Sequence, residues 1–248
     1  MASFRSCAVV PTYNHHLRLA EVVSGLRAQG LDVIIVDDGS AAPTACAVDA
    51  LAAADAAVSV VRLSSNRGKG GAVMAGFRAA IARGYSHALQ IDADGQHDPS
   101  IAHLFLDRGR ARPDLLISGV AVYDESVPAL RKYGRYLTHV CVWIETASLA
   151  ISDSMCGYRL YPLGPIARLL ERFSFGTRMD FDIEMLVKAR WAGIPFENLP
   201  VQVVYPPDNS SNFRALRDNV RISWMHTRLL AQAPFRLLAR TFSAAGSY

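Results

Sequence analysis

The sequence of 248 residues predicts an α/β fold: a mainly parallel central sheet with helices on both faces, in a single domain with a helical C-terminal extension. Two observations carry that expectation. Short apolar runs alternate with helix-period segments in the order strand, helix, strand, helix. The apolar runs also give way to polar or acidic residues where a strand would end: Pro11-Thr12-Tyr13-Asn14, Asp37-Asp38-Gly39-Ser40 and Asp92-Ala93-Asp94-Gly95-Gln96.

Cys7 to Val10 reads as a buried strand, with Pro11 to Asn14 as the turn after it, because proline cannot donate to a central ladder. Leu17 to Gln29 has helical spacing and stops at Gly30. Asp32 to Val36 is the second strand, an Ala-rich helix fills 43–54, and Val58 to Leu63 is the third strand. Asn66-Arg67-Gly68-Lys69-Gly70-Gly71 opens a helix that runs to about Arg83. His87 to Ile91 is the fourth strand, followed by a helix near 100–110 and a strand at 114–118. Beyond it the regular pattern loosens: Val120 to Pro128 reads as a loop, Phe181 to Trp191 as a helix, Ile194 to Val204 as extended, and the chain from Asn212 onward as helical. The expected division is a domain over 1–205 and a helical C-terminal extension over 206–248.

In wound parallel sheets ligands bind beyond the carboxyl ends of the strands. By that rule Pro11 to Asn14, Asp37 and Asp38, Asn66 to Gly70, and Asp92 to Gln96 face one crevice. Residues two apart in an extended segment point the same way, so Asp92, Asp94 and the Gln96 amide oxygen can present three hard donors to one cation. That set suits Mg²⁺ or Mn²⁺ and leaves coordination positions for a ligand's phosphates. The plainer reading of the same stretch is a polar turn after a buried strand.

A formal charge of +4, with no run of five basic residues, argues against nucleic acid and fits an anionic small ligand or an anionic membrane surface. Cys7, Cys46, Cys141 and Cys156 form no CxxC pair, so neither zinc nor a disulfide framework is indicated and a reduced, cytoplasmic compartment is expected. Cys156 reads as a small packed residue. The first strand begins too early to leave room for a signal peptide. No apolar run approaches the roughly 20 residues of a membrane-spanning helix, although Leu, Trp and Phe mixed with arginines after Phe213 suit peripheral contact with the inner face of an anionic membrane.

The set Val-Val-Pro-Thr-Tyr-Asn, Val-Asp-Asp-Gly-Ser, Asn-Arg-Gly-Lys-Gly, Asp-Ala-Asp-Gly-Gln-His and Cys-Gly-Tyr-Arg resembles the family-2 inverting glycosyltransferases of the GT-A fold. Its nearest likeness is to the branch of dolichyl- and polyprenyl-phosphate mannose and glucose synthases, over Val9 to Val204. The resemblance implies that Pro11, Thr12, Tyr13, Asp37 and Asp38 line a nucleotide pocket, and that Lys69 and its glycines sit near the base and ribose. It also implies that Asp92, Asp94 and Gln96 hold Mg²⁺ or Mn²⁺ under the diphosphate of a UDP- or GDP-hexose. Two departures stand out. Asn14-His15-His16 replaces the carboxylate of Tyr-Asn-Glu, and no C-terminal membrane helix is visible.

Such a transferase needs its acceptor activated or already anionic. A hydroxyl acceptor calls for a general base, for which Asp153 is the candidate, with Asp182 and Glu184 behind it. A polyprenyl phosphate needs no base and calls for arginine, and Arg131, Arg135 and Arg159 are the candidates. His97 reads as a residue supporting the metal site or its turn, and His226 and Arg228 as surface helix positions in preference to contacts with the donor diphosphate. Two rivals remain open: a sugar nucleotidyltransferase, whose Gly-rich basic loop after the first strand is absent here, and a nucleotide-sugar-binding protein without turnover.

Overall fold

The computed structural model describes residues 3–122, 129–204 and 214–245. Among them the strands are β1 (Ser6–Thr12), β2 (Asp32–Asp37), β3 (Val58–Arg62), β4 (His87–Gln90), β5 (Leu116–Val122), β6 (Arg159–Pro162) and β7 (Phe196–Gln202). They form one sheet in the order β3-β2-β1-β4-β6-β5-β7. All pairings are parallel except those of β6, which runs antiparallel to β4 and β5. The helices are α1 (Leu19–Ala28), α2 (Ala42–Ala54), α3 (Lys69–Ala82), α4 (Ala102–Ala111), α5 (Ala129–Thr146), α6 (Leu163–Arg172), α7 (Phe181–Trp191) and α8 (Ala215–Ala245).

The two-residue repeat of the strands builds both cores. Cys7, Val9, Ile34 and Val36 pack with Phe77 of α3 and Phe181 of α7. Their neighbours Ala8, Val10, Val33 and Ile35 face the other layer, with Leu19 and Leu26 of α1 and Phe105 of α4. After β3 the chain crosses back to place β4 on the far side of β1. The sheet therefore has its switch point between β1 and β4, where a crevice opens at the strand ends.

Several elements differ from expectation. β1 continues through Pro11 to Thr12, paired in register with β2. The Val9 carbonyl accepts the Ile91 N–H on the β4 side, and alternation turns Pro11 to that same side. β4 ends at Gln90, so no neighbouring strand needs the donor that proline lacks. β5 runs to Val122, further than its apolar core suggests, and 123–128 of the expected loop lie outside the described residues. β6 and α6 were not anticipated, since a four-residue strand carrying Arg159 and Pro162 has no readable period.

α8 is not set apart from the sheet: its Met225, Leu229 and Ala233 are buried in the layer that holds α3 and α7. Fully burying a side chain of Leu or Met size contributes about 1.5–3 kcal/mol, enough to dock the helix. His226 donates or accepts at Nδ1 with Glu145 Oε1 of α5 at 2.7 Å, and an Arg228 nitrogen lies 3.6 Å from Glu184 of α7. These two residues, expected at the surface, lie in the seams between helices instead. Among the described residues no helix is long and apolar enough to cross a membrane.

Candidate active site

A crevice of about 530 Å³ opens over the carboxyl ends of β1, β2 and β4. Pro11, Thr12, Tyr13, Asp38, Lys69, Asp92, Asp94 and Gln96 all line it, from four separate stretches of chain. Asp37 does not. It is 1% exposed and turned to the Ser40 N–H at 2.9 Å and the Arg62 guanidinium at 3.3 Å, which removes it from the expected nucleotide pocket.

Asp38 shapes the crevice by holding the loop before α3. It accepts the backbone N–H of Arg67 at 2.6 Å, that of Gly68 at 2.8 Å and the Asn66 amide at 3.0 Å. Burial pushes its carboxyl up, against the pull of those two N–H groups. Gly68 turns at φ +85, and a Cβ there would strike Arg178 and the Thr177 carbonyl, so the loop requires glycine.

The turn delivers Lys69 to the acidic end of the crevice. Its ammonium lies 2.7 Å from Asp92 and 2.8 Å from Asp182. The resemblance put Lys69 near a base and ribose, whereas the structure seats it on an expected metal ligand. Burial opposes its charge, and Asp182 and Asp92 outweigh burial, so its pKa is pushed up. Asp182 in turn accepts from Gln90 at 3.0 Å and from Arg159, whose guanidinium nitrogen lies 3.3 Å from its carboxylate and 2.8 Å from its carbonyl. Gly157 makes room for the cluster, because a Cβ there would strike the Asp92 carboxylate and come within 3.0 Å of Lys69 Nζ.

Beside Asp92, burial and the Asp92 charge push the Asp94 carboxyl up to about 6, while the Gln96 N–H, at 3.0 Å, works against that rise. A carboxyl raised by burial beside another carboxylate is one that a divalent cation would help to ionise. Among the described residues no three His, Cys, Asp or Glu side chains converge on one point. Asp92, Asp94 and Gln96 all line the crevice, and their oxygens are the hard donors that Mg²⁺ or Mn²⁺ prefers. His97 is buried, stacked on Tyr158 at 5.6 Å between ring centroids and pushed down to about 4 by burial, so it stays neutral. His15, which stands in place of the carboxylate of Tyr-Asn-Glu, lines the crevice, while Asn14 turns away to the Ala41 N–H at 2.8 Å.

The expected acceptor residues sit elsewhere. Arg159 is 0% exposed and committed to Asp182, Tyr161 and the Ser154 carbonyl, so it cannot meet a phosphate. Arg135 is paired with Asp153. Arg131 falls in the first turn of α5, and its side chain is outside the described residues. Asp153 does not line the crevice, and its carboxylate takes the N–H groups of Ala121, Met155 and Cys156 besides Arg135. Burial pushes Asp153 up, but Arg135 and these N–H groups prevail and hold it below the usual carboxylate range, which makes a poor base. Glu184 is tied to Lys188 at 2.7 Å and to the Gly176 N–H at 2.6 Å.

Sequence reasoning missed a second, basic part of the lining. Arg178, Arg214, Arg217 and Arg221 line the crevice there, and Arg178 is bonded to Asn66. The spacing 214, 217, 221 places three arginines on one helix face, a signal that was legible. What it faced depended on how α8 docks.

The family model described as Glycosyl transferase family 2 matches residues 7–163. A polyprenol monophosphomannose synthase of Mycolicibacterium smegmatis is 32% identical over 63% of this chain and 61% of its own length. An undecaprenyl-phosphate mannosyltransferase of Micrococcus luteus is 29% identical over 81% and 84%, and a human dolichyl-phosphate beta-glucosyltransferase 30% identical over 78% and 65%. The crystal structure of glucosyl-3-phosphoglycerate synthase from Mycobacterium tuberculosis with Mn²⁺, UDP-glucose and phosphoglyceric acid superposes with a TM-score of 0.66 at 16% identity, over 94% of this chain and 80% of that one. At that identity the likeness is one of fold.

Proposed function

From the premise that the chain belongs to glycosyl transferase family 2 and has its GT-A fold, we propose that it moves a hexose from a nucleoside-diphosphate sugar to a polyprenyl phosphate, with Mg²⁺ or Mn²⁺ at Asp92, Asp94 and Gln96. One observation carries the acceptor class. The crevice is lined by Asp92 and Asp94 and also by Arg178, Arg214, Arg217 and Arg221, with Asp218 among the arginines, while Asp153, the candidate base, is saturated by donors and does not line it. An acceptor that is already an anion needs arginines and no base. The names of the polyprenyl, undecaprenyl and dolichyl relatives support the same class.

In this reading Pro11, Thr12, Tyr13 and Asp38 border the nucleotide. A divalent cation bound at the carboxylates would neutralise charge on the departing diphosphate. Lys69 adds a fixed positive charge at the same end, preorganised because its loop and its two carboxylate partners hold it before the donor arrives. Arg214, just before α8, and Arg217 and Arg221 on it orient the acceptor phosphate. The exposed residues Leu216, Val220 and Trp224, spaced four apart on the same helix, support peripheral contact with the bilayer that holds such a lipid.

The test is turnover of UDP- and GDP-sugars with Mn²⁺ or Mg²⁺, with and without a short-chain polyprenyl phosphate. Glycolipid formed only with the lipid phosphate is the expected result. Transfer to a hydroxyl acceptor alone would return Asp153 to the mechanism, and pyrophosphate release from a nucleoside triphosphate and sugar phosphate would replace the transferase reading with a nucleotidyltransferase.

A further inference from the structure

Lys69 occupies an unusual position for a cation, because Asp92 is asked to bind a metal and already holds an ammonium at 2.7 Å. Both contacts cannot keep full strength at once. The structure also offers the ammonium a second seat: Asp182 lies 2.8 Å from the same Nζ. Asp182 is buried, and Gln90 at 3.0 Å and Arg159 at 3.3 Å fix its carboxylate. Arg159 is itself anchored on the Ser154 carbonyl at 2.7 Å, so Asp182 cannot follow Lys69 toward Asp92. Gly157 leaves just enough room for the Lys69–Asp92 pair, since any Cβ there would strike Asp92.

We propose that Lys69 is a tethered counter-cation that holds Asp92 in place before the metal arrives, and that Asp182 is the positioning residue that retains the ammonium when Asp92 is given up to the metal. This inference rests on the assignment of Asp92 as a metal ligand made above and adds two residues to it. Without Lys69, Asp92 and Asp94 would repel one another in a partly buried site. Without Asp182, the carboxylate left in ion-pair contact with Lys69 among the described residues is Asp92, and a metal must then compete with an ammonium that has lost its second seat. The role of Arg159 follows: it compensates Asp182, so that the ammonium is shared between two carboxylates and not captured by one.

The experiment is a Mn²⁺ titration of the donor-free protein, read by the electron paramagnetic resonance signal of free Mn²⁺. It is run on wild type, Asp182→Asn, Lys69→Met and the double variant, each first checked for a cooperative melt. Asp182→Asn is expected to weaken Mn²⁺ binding by roughly tenfold, within the range of coupling between contacting groups. Lys69→Met should tighten binding, and in that background Asp182→Asn should lose most of its effect. An equal effect of Asp182→Asn in both backgrounds would overturn the proposal, since Asp182 would then act on the metal directly. So would weaker binding in Lys69→Met, or an Asp182→Asn protein that melts normally and binds Mn²⁺ like wild type. The readout involves no acceptor, so a protein that transfers sugar yet shows no coupling loses this inference and keeps the proposed function.

Discussion

Arg135 and the Ala121 N–H share one carboxylate oxygen of Asp153, while the N–H groups of Met155 and Cys156 take the other. Asp153 thus ties the start of α5 to the loop before β6 and to β5, and its oxygens are spent on that task. Replacing it with Asn removes a buried carboxylate charge from beside Arg135. Asp153→Asn should therefore lower stability by about 2–3 kcal/mol, below the full cost of breaking a buried pair because Arg135 keeps some solvent. Below its melting temperature the variant should keep transfer to a polyprenyl phosphate within roughly tenfold of wild type, against the losses of several decades seen when a group acting directly in the chemistry is removed. A normally folded Asp153→Asn that has lost the acidic limb of its pH–rate profile would identify Asp153 as a base.

Asp94→Ala should abolish metal-dependent transfer by a factor on the order of 100 to 1,000, with little change in melting temperature. Asp94 belongs to a strand-end turn, where it accepts the Gln96 N–H two residues on. Circular dichroism and a Mn²⁺ titration would check both halves. Near-normal activity would remove the stretch after β4 from the metal site.

Gly157→Ala tests the packing behind that site. A methyl group there has no room beside the Asp92 carboxylate, so the carboxylate must move while the surrounding β6 and α7 stay in place. The expected outcome is a folded protein whose Mn²⁺ requirement rises severalfold at unchanged donor specificity. A metal dependence identical to wild type would show that Asp92 has freedom the structure does not give it.

Leu216, Val220 and Trp224 are 83%, 61% and 63% exposed, and Arg217 and Arg221 stand beside them on α8. Changing all three apolar residues to Ser should reduce co-sedimentation with anionic phospholipid vesicles by more than about tenfold, given roughly 1.5–3 kcal/mol for each large apolar side chain buried. Turnover of a short-chain, water-soluble lipid phosphate should stay as it was. Vesicle binding unchanged by the substitutions would place the membrane contact elsewhere or remove it.

His87, remote from the crevice at the start of β4, contacts the Pro113 carbonyl through Nε2 at 3.1 Å and packs on Phe4. Burial lowers its pKa, and the Pro113 bond only partly offsets that. Below about pH 6.5 the unfolded chain takes up a proton at this histidine that the folded chain resists. His87 therefore favours the folded state above that pH and progressively less below it. The stability of His87→Gln relative to wild type should accordingly improve as the pH falls from 8 to 5, measured by denaturant unfolding at fixed ionic strength. A difference that stays constant with pH would contradict the burial of the ring.

The strands β1 to β4, the helices between them and the polar motifs at their ends were legible in the sequence. Each is set by a local period of two or 3.6 residues broken by turn-forming residues, and such patterns need no knowledge of distant neighbours. β6 and α6 were not, because four residues of strand and a helix carrying Pro165 acquire their form from what they pack against. The same limit governed the site. That Asp92 and Asp94 lie at a strand end follows from spacing. Only the tertiary structure decided that Lys69 sits between Asp92 and Asp182, that Asp153 is consumed by Arg135, that Arg159 is buried, and that α8 brings three arginines over the crevice. Charges are long-ranged and side chains long, so the partner of an ionised group is set by which chain segments the packed cores bring together, and the sequence around that group carries no record of it.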